Sequence, residues 1–366
     1  MKIDFSNITY INNLDKRLLF KFIKYYYFPD GESKTNKSVF NRMKTELKFP
    51  EDYINDIDAL DRKDGFLYEI KKNRILYLMC VPALIILILF CYIPFGGVWM
   101  AFTDFNVLDG IFGSKFVGLD NFKFFFSKNS MGWQVTYNTL VINFFGIIFG
   151  TIVPITIAVF LNEIRNKTYK KVTQSMMFFP YFLSWVVVGA IIYGIFSTDV
   201  GVANNMLRFF GKAPISWYSE PKYWKEIIII ADVWKWSGYN SIIYLAAMSN
   251  FDASLYEAAK VDGANKFQRI FYLTLPMLKP TVVVLTLMSI GRIFYGDFGM
   301  IYGIVGNNPV LIDEVTVIDT YVYQTMRTLG FSYSTAIGLF QSLMGLILVT
   351  VANKVAKRIN EGEGLF

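Results

Sequence analysis

ILYLMCVPALIILILFCYIPFGGVWMAFT, residues 75–103, runs for 29 residues without one Asp, Glu, Lys or Arg, and only Pro82 and Pro94 punctuate it. A bilayer core about 30 Å thick asks for roughly 20 apolar residues in a helix, so this run is long enough to cross. It is not alone. Residues 137–162, 172–198 and 328–353 are equally free of charge, while 227–250 carries Asp232 and Lys235, and 280–299 carries Arg292 and Asp297, in otherwise apolar sequence. The whole chain of 366 residues is 54% hydrophobic and 18% charged, against about 25% charged in soluble domains. No soluble core buries so many separate uncharged runs. The class expected is all-α and polytopic, with six transmembrane helices at those positions. The second run holds Gly146 and Gly150 at the spacing that lets helix backbones approach, and Pro154 nearby argues for a kink.

Composition also removes whole classes of chemistry. The chain has no histidine, and with it go the commonest general base, the commonest metal ligand and the usual nucleophile triads. Its two cysteines, Cys80 and Cys91, both lie inside the first apolar run, so neither a disulfide framework nor a metal cluster is expected. The net charge of +7 is dispersed: residues 1–74 hold 15 basic against 12 acidic side chains, a mixed cytoplasmic extension over 1–71 that does not read as a nucleic-acid patch. No charged start leads directly into a short apolar segment with a small-residue cleavage site, so no cleaved signal peptide is expected.

The loops set the orientation, because basic residues stay on the cytoplasmic side. Residues 163–171 hold Arg165, Lys167, Lys170 and Lys171 against one acid, and Lys354, Lys357 and Arg358 follow the last run. Both segments are expected inside. The link 104–136 is balanced and 299–327 is net negative, so these face outward, and 251–279 returns to the cytoplasm. Six crossings put both termini, including a short tail at 361–366, in the cytoplasm.

Residues 251–279 carry the most specific pattern. Leu255, Ala258, Ala259 and Val261 recur among Asp252, Glu257, Lys260 and Asp262 at roughly helical spacing, predicting a short amphipathic helix. Gly263 then offers a turn or a close approach. Phe267, Ile270 and Phe271 form a second apolar stripe, and Pro276 is expected to push Leu275 out of helical geometry before the fifth span. On spacing alone, this is equally an interfacial helix without a partner.

The string EAAKVDGANKFQRIFYLTLP, residues 257–276, resembles the EAA loop of ABC importer permeases, whose pattern is EAA, three residues, Gly, nine residues and Ile-x-Leu-Pro. Leu273 in place of Ile is the one departure. The resemblance extends from about residue 74 to the C-terminus, through FVGLDNFKFF at 116–125, WSGYN at 236–240 and the final apolar run, and is nearest to the oligosaccharide and polysaccharide-fragment permeases of the maltose type. It implies a transmembrane domain over 72–360 with a cytoplasmic coupling helix between the fourth and fifth spans, in a multi-pass protein of the cell membrane. The partners implied are a second homologous permease, two ATPase subunits, an extracellular solute-binding protein and an oligosaccharide substrate. Glu257, Ala258, Ala259 and Gly263, with Leu275 and Pro276 closing the motif, would then couple to an ATPase. The chain itself binds no cofactor on this reading; ATP and Mg belong to the ATPase. The sequence agrees, for it contains no GxxxxGK[ST], and the one Gly-Lys pair, Gly211-Lys212, has Met206 where the first glycine would stand.

A sugar path should mix aromatic faces with amides and charges at membrane depth. The fourth span offers Trp234, Trp236, Tyr239, Asn240 and Tyr244, of which Trp236, Asn240 and Tyr244 share one helical face, and the fifth offers Arg292, Tyr295 and Asp297. In related permeases the helices flanking the EAA loop contact substrate. An interfacial aromatic belt explains the aromatics equally, but not the charges, since an ion within the membrane costs about 2.5 to 3.5 kcal/mol on insertion scales. Asp232 with Lys235, or Arg292 with Asp297, could be structural ion pairs, and the cations hint at uronate-containing cargo, with neutral glycans as open. The competing function is an ATP-independent secondary transporter or channel using these charges for ion coupling, which leaves the EAA loop unexplained.

Overall fold

The computed structural model describes residues 43–45, 49, 70, 73–128 and 130–359. The extension expected over 1–71 and the tail over 361–366 lie almost wholly outside the described residues. The chain divides into two compact units, Met1–Phe95 and Gly96–Phe366. In the first, α1 (Arg74–Leu87) continues through a π-type turn, Ile88–Tyr92, and a last helical turn, Ile93–Phe95.

The second unit opens with a 3-10 turn, Gly96–Phe102, and a two-residue antiparallel ladder of β1 (Thr103–Asp104) with β2 (Lys115–Phe116), enclosing α2 (Gly110–Gly113). This ladder is the only departure from all-α architecture among the described residues. Asn121 of α3 (Asp120–Phe125) closes it, donating to the carbonyls of Ala101 and Thr103 at 2.9 and 3.0 Å. The helices that follow are α4 (Gly132–Glu163), α5 (Lys167–Phe178), α6 (Trp185–Phe196), α7 (Val202–Phe209), α8 (Trp224–Ser249), α9 (Ala253–Val261) and α10 (Lys266–Arg269). The remainder are α11 (Leu275–Gly291), α12 (Phe298–Val305), α13 (Pro309–Val315), α14 (Ile318–Thr328) and α15 (Phe331–Ile359).

Four stretches are long and apolar enough to cross a membrane: Arg74–Phe102, Gly132–Glu163, Lys266–Gly291 and Phe331–Val355. A fifth, Lys167–Phe182 with Trp185–Phe196, is bent by 101° at its break. The third expected span, 172–198, is therefore not one straight helix. Pro180 sits in a 3-10 turn, and Ser184 starts a new helix by accepting the Val187 amide. The bend follows, because proline supplies no amide hydrogen and a serine cap resets the direction. α8 is 26 residues long, but its central charges and amides dilute its apolar character.

Two further expectations are corrected at the fifth span. Leu275 is helical, with φ −66° and ψ −43°, because a π-type turn at Ile270–Thr274 widens the helix just before Pro276. The wider turn makes room for the ring that an ordinary turn would reject. The helix also stops at Gly291, so Arg292, Tyr295 and Asp297 stand on an irregular turn between α11 and α12.

Packing gives the helix directions. Ile142 of α4 and Ile228 of α8 share one apolar cluster with Val188 and Ile192 of α6 and Ile304 of α12, while Ala158 and Tyr244 share another with Leu278 of α11. α4 and α8 thus run the same way. Phe294 meets Val135 and Ile337 in a third cluster, so α11 returns in the opposite sense. Glycines allow the closest approaches: a Cβ at Gly238 would strike the Met177 carbonyl, and one at Gly189 the Gly303 carbonyl. Gly146 and Gly150 play no such part, since nothing lies within 4 Å of a Cβ at Gly150 and only the Asp232 carboxylate, at 3.9 Å, meets one at Gly146. They leave space open instead of closing it. Gly238→Val should lower stability in detergent by about 1–3 kcal/mol through overpacking, whereas Gly146→Ala should cost nothing. Thermal unfolding of the two variants reads this, and equal losses would contradict the packing described.

Candidate functional site

Between the first two clusters, α4 and α8 together form one wall of a cavity of about 590 Å³. That size lies within the range of small-molecule sites, about 300–1,000 Å³. α8 presents Asp232, Trp236, Ser237 and Asn240 to it, and α4 presents Asn143, Gly146, Gly150 and Thr151. The opposite wall is the turn after α11, with Arg292, Tyr295, Gly296 and Asp297, backed by Asp319 of α14. A smaller hollow of about 230 Å³ shares Asn240 and Arg292 and reaches Tyr244.

The turn from 292 to 297 has no helical ladder of its own, so side chains must satisfy its backbone. Asn143 donates to the carbonyls of Ile293 and Tyr295 at 2.7 and 3.0 Å. Gln341 donates to the Phe294 carbonyl at 2.9 Å and to Asp319 at 2.8 Å, and Asp319 accepts the Gly296 amide. Asp297 caps α12 by accepting the Met300 amide at 2.9 Å, and its second oxygen accepts the Trp185 indole N–H at 2.7 Å. Two of the three cavity carboxylates are thus engaged. Asp232 and Arg292 have neither a side-chain hydrogen bond nor an ion pair among the described residues, so the cavity keeps one carboxyl and one guanidinium free for a ligand.

Of the residues expected on the substrate path, Trp236, Asn240, Arg292, Tyr295 and Asp297 meet at this cavity. Tyr239 does not. Its ring stacks on Tyr181, centroids 4.5 Å apart, and on Phe178. Tyr244 is 2% exposed and belongs to the apolar cluster with Ala158, touching only the smaller hollow. Neither possible ion pair forms. Lys235, 6% exposed, turns away from Asp232 and donates to the carbonyls of Tyr181, at 2.8 Å, Leu183 and Pro180. It is ringed by Tyr181, Trp185 and Trp236. The break between α5 and α6 leaves the Tyr181 and Leu183 carbonyls open, and the ammonium satisfies them while also reaching the Pro180 carbonyl, which accepts the Leu183 amide as well. The sequence reading missed Asn143, Trp185, Asp319 and Gln341. Polar residues inside uncharged runs were a signal, but their partners lie 22 to 152 residues away.

The loop between α8 and α11 forms a rigid unit. Asp252 caps α9, accepting the Ser254 amide at 2.9 Å, and this bond holds its carboxyl below the ordinary range. Gly263 has φ +82°, a left-handed conformation that only glycine adopts cheaply, with nothing within 4 Å of a Cβ there. It makes a turn, not a close approach. Asn265 and Gln268 form a reciprocal capping box that starts α10, and the Tyr256 and Thr274 hydroxyls meet at 3.0 Å to tie α9 to the next helix. Glu257, Ala258, Val261, Phe267 and Tyr272 remain exposed on this loop. A hollow of about 350 Å³ lies beside Ala259 and Gly263.

Residues 150–361 match the model of a family described as binding-protein-dependent transport system inner membrane component. Protein LplB of Bacillus subtilis (strain 168) is 36% identical over 303 residues, 82% of this chain and 94% of that protein. The polygalacturonan/rhamnogalacturonan transport system permease protein YteP of the same strain is 36% identical over 325 residues, 87% of this chain and 100% of that protein. Among solved structures, a chain of a bacterial alginate ABC transporter in complex with alginate pentasaccharide-bound periplasmic protein superposes with a TM-score of 0.74 at 32% identity, covering 82% of this chain and 99% of its own length. The apolar helices, the polar cavity between them and these likenesses over most of the chain converge: this protein belongs to the family of binding-protein-dependent transport inner-membrane components, the permeases of ABC importers.

Proposed function

We propose that the chain is the permease subunit of an ATP-driven importer of oligosaccharides, forming half of the translocation path. The observation that carries this reading is the cavity between α4 and α8, where Trp236 supplies a stacking face and Asn240, Asp232 and Arg292 supply groups for hydroxyls. The named relatives include permeases for saccharides, which supports the same cargo class. A transport path needs several weak contacts, because one tight site would trap its cargo. Trp236→Ala should therefore slow uptake, removing a stacking contact of about 0.5–1.5 kcal/mol by analogy with aromatic pairs, and leave the complex assembled. Sugar uptake into vesicles, with and without ATP, tests the function; uptake independent of ATP would refute it.

In this reading the other half of the path comes from a second permease, cargo arrives on an extracellular solute-binding protein, and two ATPase subunits hold ATP and Mg. The exposed loop with Glu257, Ala258, Ala259 and Gly263 is the surface for the ATPase, with small alanines permitting close seating and Leu275 and Pro276 fixing the exit into α11. Its rigidity suits it to transmit force. Gly263→Val forces a branched side chain into a left-handed conformation, at a cost of about 1–3 kcal/mol. Uptake and ATPase association should fall together while membrane insertion is kept; normal coupling in this variant would remove the loop from the mechanism.

The six-span topology with both termini in the cytoplasm is part of the proposal. The common direction of α4 and α8 and the opposite sense of α11 support it. In a chain freed of Cys80 and Cys91, a cysteine at Ser219 should react with a membrane-impermeant thiol reagent in intact cells and one at Ser254 should not. The reverse labelling would invert the topology.

A further inference from the structure

The cavity's charge selects among oligosaccharides, and this inference rests on the function proposed above. Three carboxylates line it, Asp232, Asp297 and Asp319, against one guanidinium, Arg292. The second cation expected at this depth, Lys235, is absent from the lining because its ammonium is turned to three backbone carbonyls, although its charge still acts on Asp232 and Asp297. Three carboxylates against one guanidinium at the lining leave this half of the path without an excess of positive charge. The rest of the wall is uncharged, with Asn143, Asn240 and Trp236 facing the same space as the apolar Ile142, Ile147 and Ile229.

We infer that this cavity passes uncharged oligosaccharides and disfavours polyuronates. A sugar hydroxyl both donates and accepts, so it matches the pair of groups left free, donating to Asp232 and accepting from Arg292. A carboxylate on the cargo only accepts. It gains one partner in Arg292 and meets like charge at Asp232, Asp297 and Asp319, in surroundings where charge is screened less than in water. The cargo class thus differs from the acidic polysaccharides named for the alginate transporter and for YteP, although the chain resembles both.

The test uses the complete importer, with its binding protein, second permease and ATPases, reconstituted in vesicles. A mixed pool of neutral galactan oligosaccharides, free-acid galacturonan oligosaccharides and the same galacturonans as methyl esters is supplied with ATP, and the accumulated species are weighed by mass spectrometry. Neutral and esterified species should be enriched over the free acids by at least about tenfold, equivalent to 1.4 kcal/mol. Free acids accumulated as well as or better than their esters would overturn the inference while leaving sugar import intact. No ATP-dependent accumulation of any sugar would instead overturn the proposed function.

Two variants locate the filter. Asp232→Asn should narrow the ester-to-acid ratio several-fold, with assembly of the complex read separately by co-purification of its subunits, and Asp232→Glu should preserve the ratio. If Asp232→Asn leaves the ratio unchanged, discrimination lies in another subunit, such as the binding protein, and its assignment to this cavity fails.

Discussion

The pairing of α4 with α8 is the constraint on which the rest of this molecule depends. Two long helices running the same way are locked at one end by Ile142 with Ile228 and at the other by Ala158 with Tyr244. Between these ends the pair lines the cavity. On α4 that middle segment carries Gly146 and Gly150, which have no bulk, and on α8 it carries Asp232, Trp236 and Asn240. The cavity opens beside this pair because the glycines of α4 leave unfilled the space that faces the turn at 292–297. Packing elsewhere in the interior is dense, so an opening of this size requires such a lack of bulk.

A polar cavity between spans carries a cost, since every backbone group exposed by irregular chain must find a partner. The turn at 292–297 meets that cost with Asn143, Gln341 and Asp319, each reaching from a different helix. Lys235 does the same at the break between α5 and α6. Trp185 joins the two sites: its indole donates to Asp297 while its ring faces the Lys235 ammonium. The bent pair and the cavity wall are thereby one mechanical unit.

The loop between α8 and α11 has the opposite character. Its stability is local, built from the Asp252 cap, the Gly263 turn, the Asn265–Gln268 box and the Tyr256–Thr274 contact, none of which spans more than 18 residues. A surface that relays force benefits from holding its shape without a partner. Lys266 adds one longer tie, 3.7 Å from Glu163 at the end of α4, and so connects this loop to the helix that lines the cavity.

The sequence alone determined the membrane class, the position of most helices and the identity of the loop at 251–279. Each of these follows from short-range rules: uncharged runs match the bilayer, and caps, glycines and a fixed motif act over a few residues. Sequence also singled out Trp236, Asn240, Arg292, Tyr295 and Asp297, which the structure brings to one cavity, but it did not point to the α4 wall or to Asp319. Nor could it sort the charges. Asp232 and Lys235 are three residues apart and look like a pair, yet one faces the cavity and the other faces broken-helix carbonyls donated by a segment more than 50 residues away. Tyr239 and Tyr244 shared a pattern with their neighbours and still turned into an aromatic stack and an apolar cluster. Which way a side chain faces depends on what packs against the helix, and that is decided only when distant helices meet. The break at Leu183–Ser184 and the end of α11 at Gly291 belong to the same class, because open backbone at membrane depth persists only where Lys235 and Asn143 arrive from elsewhere to satisfy it.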